Sequence, residues 1–207
     1  ALTTLNASGT MTTLDAGTLG ALTTAANTTL ALNLTGLTTS GAVTIDADIT
    51  TLNVASTTND STIASLVASG ATTVNVSGDK LVTLTADTLT AVTAINVTNT
   101  AGASFGTAIG TAVVFTGGAG ADTVTTTTAM TAASTMGAGN DTVTYGGVAS
   151  TATGLVGSMA AGTGTDTIIM TDAQATSAFA TAAFNTAFTG FETLQISDSF
   201  IEDDLDL

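Results

Sequence analysis

Three stretches of this sequence carry residue types whose spacing can do chemistry: GGAGADTVT (117–125), MGAGNDTVT (136–144) and AGTGTDTII (161–169). Each follows one nonapeptide pattern, with glycine at positions two and four, aspartate at six and an aliphatic residue at eight. The first also has glycine at position one, where the other two carry Met136 and Ala161. Glycines at two and four let a loop bend tightly and aim its carbonyl oxygens into one space. The aspartate adds a carboxylate, and the aliphatic residue returns the chain to the core as a strand. Such a set of oxygens suits Ca2+, which takes about six to eight of them.

Spacing brings the loops together. Asp122 and Asp141 lie 19 residues apart, one coil of a repeating structure, and Asp141 and Asp166 lie 25 apart, one coil plus a short insertion. Stacked carboxylates repel unless a cation lies between them. Three stacked loops therefore imply two sandwiched Ca2+ ions, with Asp141 shared by both.

The elements that must position these loops are short repeated strands. Leu32-Asn33-Leu34, Leu52-Asn53-Val54, Val74-Asn75-Val76 and Ile95-Asn96-Val97 recur with their asparagines 20, 22 and 21 residues apart. A second series runs between them through Ile45, Leu66-Val67 and Leu84. Alternating Val, Ile, Leu and Thr bounded by Gly, Ser, Asn or Asp reads as strand. One strand per half-turn and ~20 residues per turn predicts a parallel β-solenoid. An antiparallel β-sandwich has similar strand spacing, but the two-residue hairpin turns it needs are scarce here. The four asparagines are expected in register on one face. They are either polar groups facing water or an amide ladder hydrogen-bonded from coil to coil.

From residue 171 the pattern changes. TDAQATSAFATAAFNTAF is Ala-rich, with Phe179, Phe184 and Phe188 four to five residues apart. This predicts one short helix, with Asp172 as its N-cap, Gly190 just past its end and its aromatic stripe packed on the solenoid. A strand follows in GFETLQISD. In the acidic close IEDDLDL, Leu205 and Leu207 alternate with Asp206 as at the start of another strand, which points to a longer solenoid. The expected fold is all-β, a parallel β-solenoid with Thr/Ala-rich β-helix coils over 1–110. A calcium-binding β-roll follows over 111–170, then the helix and a returning strand over 171–207.

Composition excludes much else. The 207 residues carry net charge −15 with one Lys and no Arg, His or Cys. Lys80 alone cannot neutralise a run of phosphates, so nucleic acid is not an expected partner. Without His or Cys there is no zinc site of the usual kind, no thiol nucleophile and no Ser-His-Asp triad. Paired carboxylates invite a glycosidase reading, but the chain has no Trp and a single Tyr, Tyr145. No enzymatic activity is expected. Mean hydropathy is +0.50, yet Thr, Asn or Asp interrupts every apolar run, so membrane insertion by this segment is not expected. Thr makes up about a quarter of the chain and aromatics 4%, which suits a thin aliphatic core stacked in layers.

The nonapeptides resemble those of the RTX (repeats-in-toxin) family of calcium-binding β-rolls. Units such as TTLNASG and TTVNVSG, with GFETLQISD, are similar more narrowly to RTX-type bacterial surface-layer (S-layer) proteins. The span from the first nonapeptide to the last, 117–169, covers about a quarter of the chain; the Thr- and Ala-rich likeness covers nearly all of it. The resemblance implies a ligand set. The first ion would meet Gly118, Gly120 and Asp122, then Met136, Ala138 and Asp141. The second would meet Gly137, Gly139 and Asp141, then Ala161, Thr163 and Asp166. The half-turns opposite lack the aspartate, so calcium is expected along one edge only.

The same resemblance implies a secreted structural protein that assembles with copies of itself on the bacterial cell surface, exported by type I secretion. The alternatives are an RTX adhesin stalk, an ice-binding surface using Thr123/Thr125 and Thr142/Thr144, and the non-catalytic tail of an RTX enzyme. Among the remaining carboxylates, Asp46 and Asp48 are expected to share an outer strand face, and Asp60, Asp79 and Asp87 to sit in turns. The cluster of Asp198, Glu202, Asp203, Asp204 and Asp206 is either solvated charge or a further ion site.

Overall fold

The computed structural model describes residues 2–16, 28–127, 130–147 and 157–199. Strict apolar alternation makes the strands: Thr51–Ser56 and Ala94–Val97 bury every second residue, as a half-buried strand must. Every pairing between the strands is parallel, coil upon coil, and the fold is an all-β parallel β-solenoid.

Two long stacks of strands run the length of the molecule. The first contains Thr51–Ser56, Thr73–Gly78, Ala94–Val97, Val114–Thr116, Ala133–Thr135, Ser158–Ala160 and Phe188–Thr189. The second contains Ser61–Ile63, Val82–Leu84, Ala103–Ile109, Thr123–Thr126, Thr142–Thr144, Thr167–Met170 and Thr193–Ile196. The long strand Thr29–Thr39 bends from one stack into the other, pairing with Thr51–Ser56 and, at Thr38, with Ser61–Ile63.

A third, shorter stack of Leu14–Ala16, Ala42–Ile45, Ser65–Val67 and Asp87–Thr88 closes a triangular cross-section around the early coils. Thus the early coils hold three strands each, where one per half-turn was expected. Leu84 belongs not with Ile45 and Leu66 but in the second stack, paired with Ile63 below and Phe105 above.

The core consists of columns of aliphatic side chains at matching positions. Leu30, Leu52, Val74, Ile95 and Phe115 form one, each at most 2% exposed. Near the top of the third stack, Phe105 and Phe115 meet edge to face at 5.9 Å.

The asparagine series is a ladder, but with a break. Asn96 Nδ2 donates to Asn75 Oδ1 at 2.9 Å, and Asn75 Nδ2 to Asn53 Oδ1 at 2.7 Å. Asn33 does not join them. It pairs with Ala55, two residues out of register with Asn53, and donates instead to Asn6. A 20-residue spacing in a coil whose true period there is 22 slips the side chain by two, which keeps it on the same face but moves it along the strand.

The expected helix is present as two short ones, Asp172–Phe179 and Ala182–Ala187. Its cap is Thr171, not Asp172: Thr171 Oγ1 accepts from Gln174 N while Gln174 Oε1 accepts from Thr171 N, a capping box. Phe184 and Phe188 stack at 4.7 Å, and Tyr145 meets both edge-on at 5.5 Å. The aromatic stripe therefore packs on the solenoid. Among the described residues no helix is long and apolar enough to cross a membrane. The alternation at Leu205 and Leu207, and Glu202, Asp203, Asp204 and Asp206, lie outside the described residues.

Candidate metal centre

The three aspartates occupy one inward-facing column of the second stack. Thr123, Thr142 and Thr167 are in register, so the preceding residues Asp122, Asp141 and Asp166 stack as well. Upstream the same column holds Ser61, Val82 and Ala103. The aspartates stand where earlier coils place small buried residues, which is why they are 0%, 1% and 0% exposed.

Each carboxylate reaches down one coil. Asp122 Oδ1 accepts from Ala103 N at 2.7 Å, Asp141 Oδ1 from Asp122 N at 2.7 Å, and Asp166 Oδ1 from Asp141 N at 2.8 Å. The second oxygens differ. Asp122 Oδ2 accepts from Gly118 N at 3.2 Å. Asp141 Oδ2 and Asp166 Oδ2 are buried with no hydrogen-bond partner. A buried carboxylate oxygen left unsatisfied is costly, and its usual remedies are a proton or a cation.

The charges reflect that cost. Burial pushes the Asp122 carboxyl up to about 6, opposed by the amides of Ala103 and Gly118. Burial pushes Asp141 up to about 7, reinforced by the negative charges of Asp122 and Asp166 on either side. This is the like-charge coupling expected of stacked carboxylates.

Glycine is required where one loop stacks on the next. Gly139 and Gly164 have φ of +131° and +147°, and a Cβ on Gly164 would overlap the carbonyl oxygen of Gly139 one coil below. Gly137 and Gly162 are likewise left-handed, with φ of +96° and +103°. Gly118 and Gly120 are not. The first loop, closest to the nonapeptide in sequence, is thus the one whose backbone departs from the other two. Met136 and Ala161, at position one, have ordinary backbone and bury their side chains completely.

The loops also bond to each other directly. Gly118 O accepts from Ala138 N at 2.7 Å, Gly137 O from Thr163 N at 3.0 Å, and Thr163 O from Gly139 N at 2.9 Å. Each carbonyl retains a second lone pair. Among the described residues no three Asp, Glu, His or Cys side chains gather around one point to hold a metal. Any ion here would rest on one or two carboxylates and backbone carbonyls. Asp141 and Asp166, with their free buried oxygens, fit that donor set best.

One member of the column was missed in the sequence. Glu192 stacks on Asp166, and its Oε2 accepts from Asp166 N at 2.8 Å. The signal was present: Gly190-Phe191-Glu192-Thr193-Leu194 repeats the Gly-x-acid-Thr-aliphatic order of Gly164-Thr165-Asp166-Thr167-Ile168. It was hidden because the corner before it is three residues shorter than the nonapeptide, Ala160 pairing with Thr189.

The other carboxylates do not converge. Asp46 and Asp48 lie in a turn after Ala42–Ile45 rather than on a strand face, Asp46 Oδ1 accepting from Asp48 N. Asp87 lies on a strand, not in a turn. Comparison with protein-family models and with curated proteins finds no match for this chain.

Proposed function

We propose that this chain is a calcium-stabilised structural segment of a secreted bacterial S-layer protein of RTX type, without enzymatic activity of its own. The observation that carries the metal is the pair of buried, unpartnered oxygens, Asp141 Oδ2 and Asp166 Oδ2, in one column of stacked loops. In a chain with one Lys and net charge −15, few protein cations exist to neutralise them. Gly137, Gly139, Asp141, Ala161, Thr163 and Asp166 would hold the better supported ion. Gly118, Gly120, Asp122, Met136, Ala138 and Asp141 would hold the other. When bound, calcium supplies charge neutralisation and ties neighbouring coils together.

Calcium that binds the folded loops and not the unfolded chain stabilises the fold by mass action. Folding would then complete in the calcium-rich exterior after export. The solenoid and its acidic surface support assembly with further copies, bridged by additional Ca2+. Electron microscopy of purified protein with and without calcium tests this. Two-dimensional sheets that appear with millimolar Ca2+ and dissolve in chelator are expected; calcium binding without sheets would favour the adhesin stalk.

A further inference from the structure

The three loops are alike in sequence and unlike in readiness. At their crests the second and third loops are held together by three hydrogen bonds. Thr163 N donates to Gly137 O at 3.0 Å, Gly139 N to Thr163 O at 2.9 Å, and Thr165 N to the side-chain oxygen Asn140 Oδ1 at 3.0 Å. A parallel bridge pairs Ala138 with Thr163. Between the first and second crests, among the described residues, the one such bond is Ala138 N to Gly118 O. Ala121 stands where the second loop has Asn140, and it offers no side-chain acceptor.

The first loop is also closed on itself. Gly118 N donates to Asp122 Oδ2, whereas the matching oxygens of Asp141 and Asp166 have no hydrogen-bond partner. Gly118 and Gly120 lie outside the left-handed region that Gly137, Gly139, Gly162 and Gly164 share. For Asp122 to turn that oxygen to a metal, the bond from Gly118 must break, and hydrogen bonds to charged groups are among the stronger ones. Asp141 and Asp166 give up no such bond. All three carboxylates are buried, so an ion reaches either pair of loops only as a corner opens locally. That step is common to both pairs and leaves their difference standing.

We propose that the two ions bind in order and unequally. The first enters between the second and third loops, where Asn140 is a positioning residue that clasps one loop to the next. The second enters between the first and second loops, after the bond from Gly118 to Asp122 is released and Gly118 and Gly120 turn left-handed. This order rests on the calcium function proposed above. Charge acts in the same direction: once the first ion shares Asp141, the second meets a site with less negative charge to attract it.

Calorimetry and NMR of the full chain, titrated with Ca2+ from chelator, test the order. The first equivalent is expected to shift the amides of Gly162 and Gly164 and the second those of Gly118 and Gly120, with affinities at least about tenfold apart. Asn140→Ala is expected to weaken the first step roughly threefold or more, with little change of melting temperature in chelator, because Asn140 and Thr165 are both exposed. Ala121→Asn, at an exposed position, gives the first loop the same clasp and is expected to strengthen the second step. Both variants should therefore narrow the gap. Simultaneous shifts in all three loops with equal affinities, or a gap that neither variant narrows, overturns the order and leaves calcium binding intact. A chain that binds no calcium overturns both.

Discussion

Two corners of the same solenoid solve one problem differently. At residues 97–103 the chain turns between the two long stacks around Asn99, which is completely buried. Its Oδ1 accepts from Ala101 N and Gly102 N, and its Nδ2 donates to Ser77 O and Lys80 O. That corner is neutral and complete. The corners ending at Asp141 and Asp166 use a carboxylate, satisfy one oxygen with an amide and leave the other bare. An amide carries its own donors and acceptors; a carboxylate only accepts and must borrow a cation or a proton. The Asn99 corner is therefore self-sufficient, whereas the corners at Asp141 and Asp166 depend on solution conditions.

The largest expected break in this comparison comes from calcium itself. Adding millimolar Ca2+ should raise amide protection and thermal stability in residues 117–170 and leave residues 51–97 nearly unchanged. Mg2+, which demands a tighter octahedron, should do so poorly. Hydrogen exchange in calcium and in chelator checks this, and equal protection in both would remove the metal site from the loops.

Next in size are the single changes at the corners. Asp141→Ala takes a ligand from both proposed ions and should cost more calcium affinity than Asp122→Ala or Asp166→Ala, as measured by calorimetric titration. Asn99→Ala strands two amides and two carbonyls and should cost roughly 2–4 kcal/mol. That loss should be the same with and without calcium, which separates the two kinds of corner.

Acidity should stabilise the calcium-free protein alone. Asp122 and Asp141 titrate at about 6 and about 7 when folded, against 3.8 for an ordinary aspartate. Both bind protons more tightly in the folded state. Their contribution to stability is thus full below about pH 4 and lost as pH rises through about 6 and 7. Without calcium, the melting temperature should fall by a few degrees between pH 5 and 7.5. With saturating calcium the slope should flatten or reverse, because the metal binds the deprotonated form.

The smallest effect concerns the outer ladder. Asn75 makes two amide hydrogen bonds, to Asn53 and Asn96, while Asn33 makes one, to Asn6. Asn75→Ala should cost about 1–2 kcal/mol in chemical denaturation and Asn33→Ala about half as much, neither depending on calcium.

The repeat itself was legible because inward and outward residues alternate with period two, and coils of ~20 residues place like beside like. That is enough to read a parallel solenoid and to stack Asp122, Asp141 and Asp166 from their spacing. It also made the aromatic stripe at Phe184 and Phe188 readable as packing. Register to within a residue or two was not legible. Asn33 kept the right face and the wrong neighbour, and Glu192 sat in the column without the loop that announces it.

What the sequence determined by itself is local: which residues alternate, where glycine permits a left-handed corner, and which loops offer oxygen ligands. Only the tertiary structure decided how many strands each coil holds. That depends on how wide a core the stacked side chains fill, a property of several coils together. It also decided that the aspartates point inward, in the column of Val82 and Ala103. Burial is a relation between coils far apart in the chain, and it is burial that turns an ordinary carboxylate into one that needs a partner.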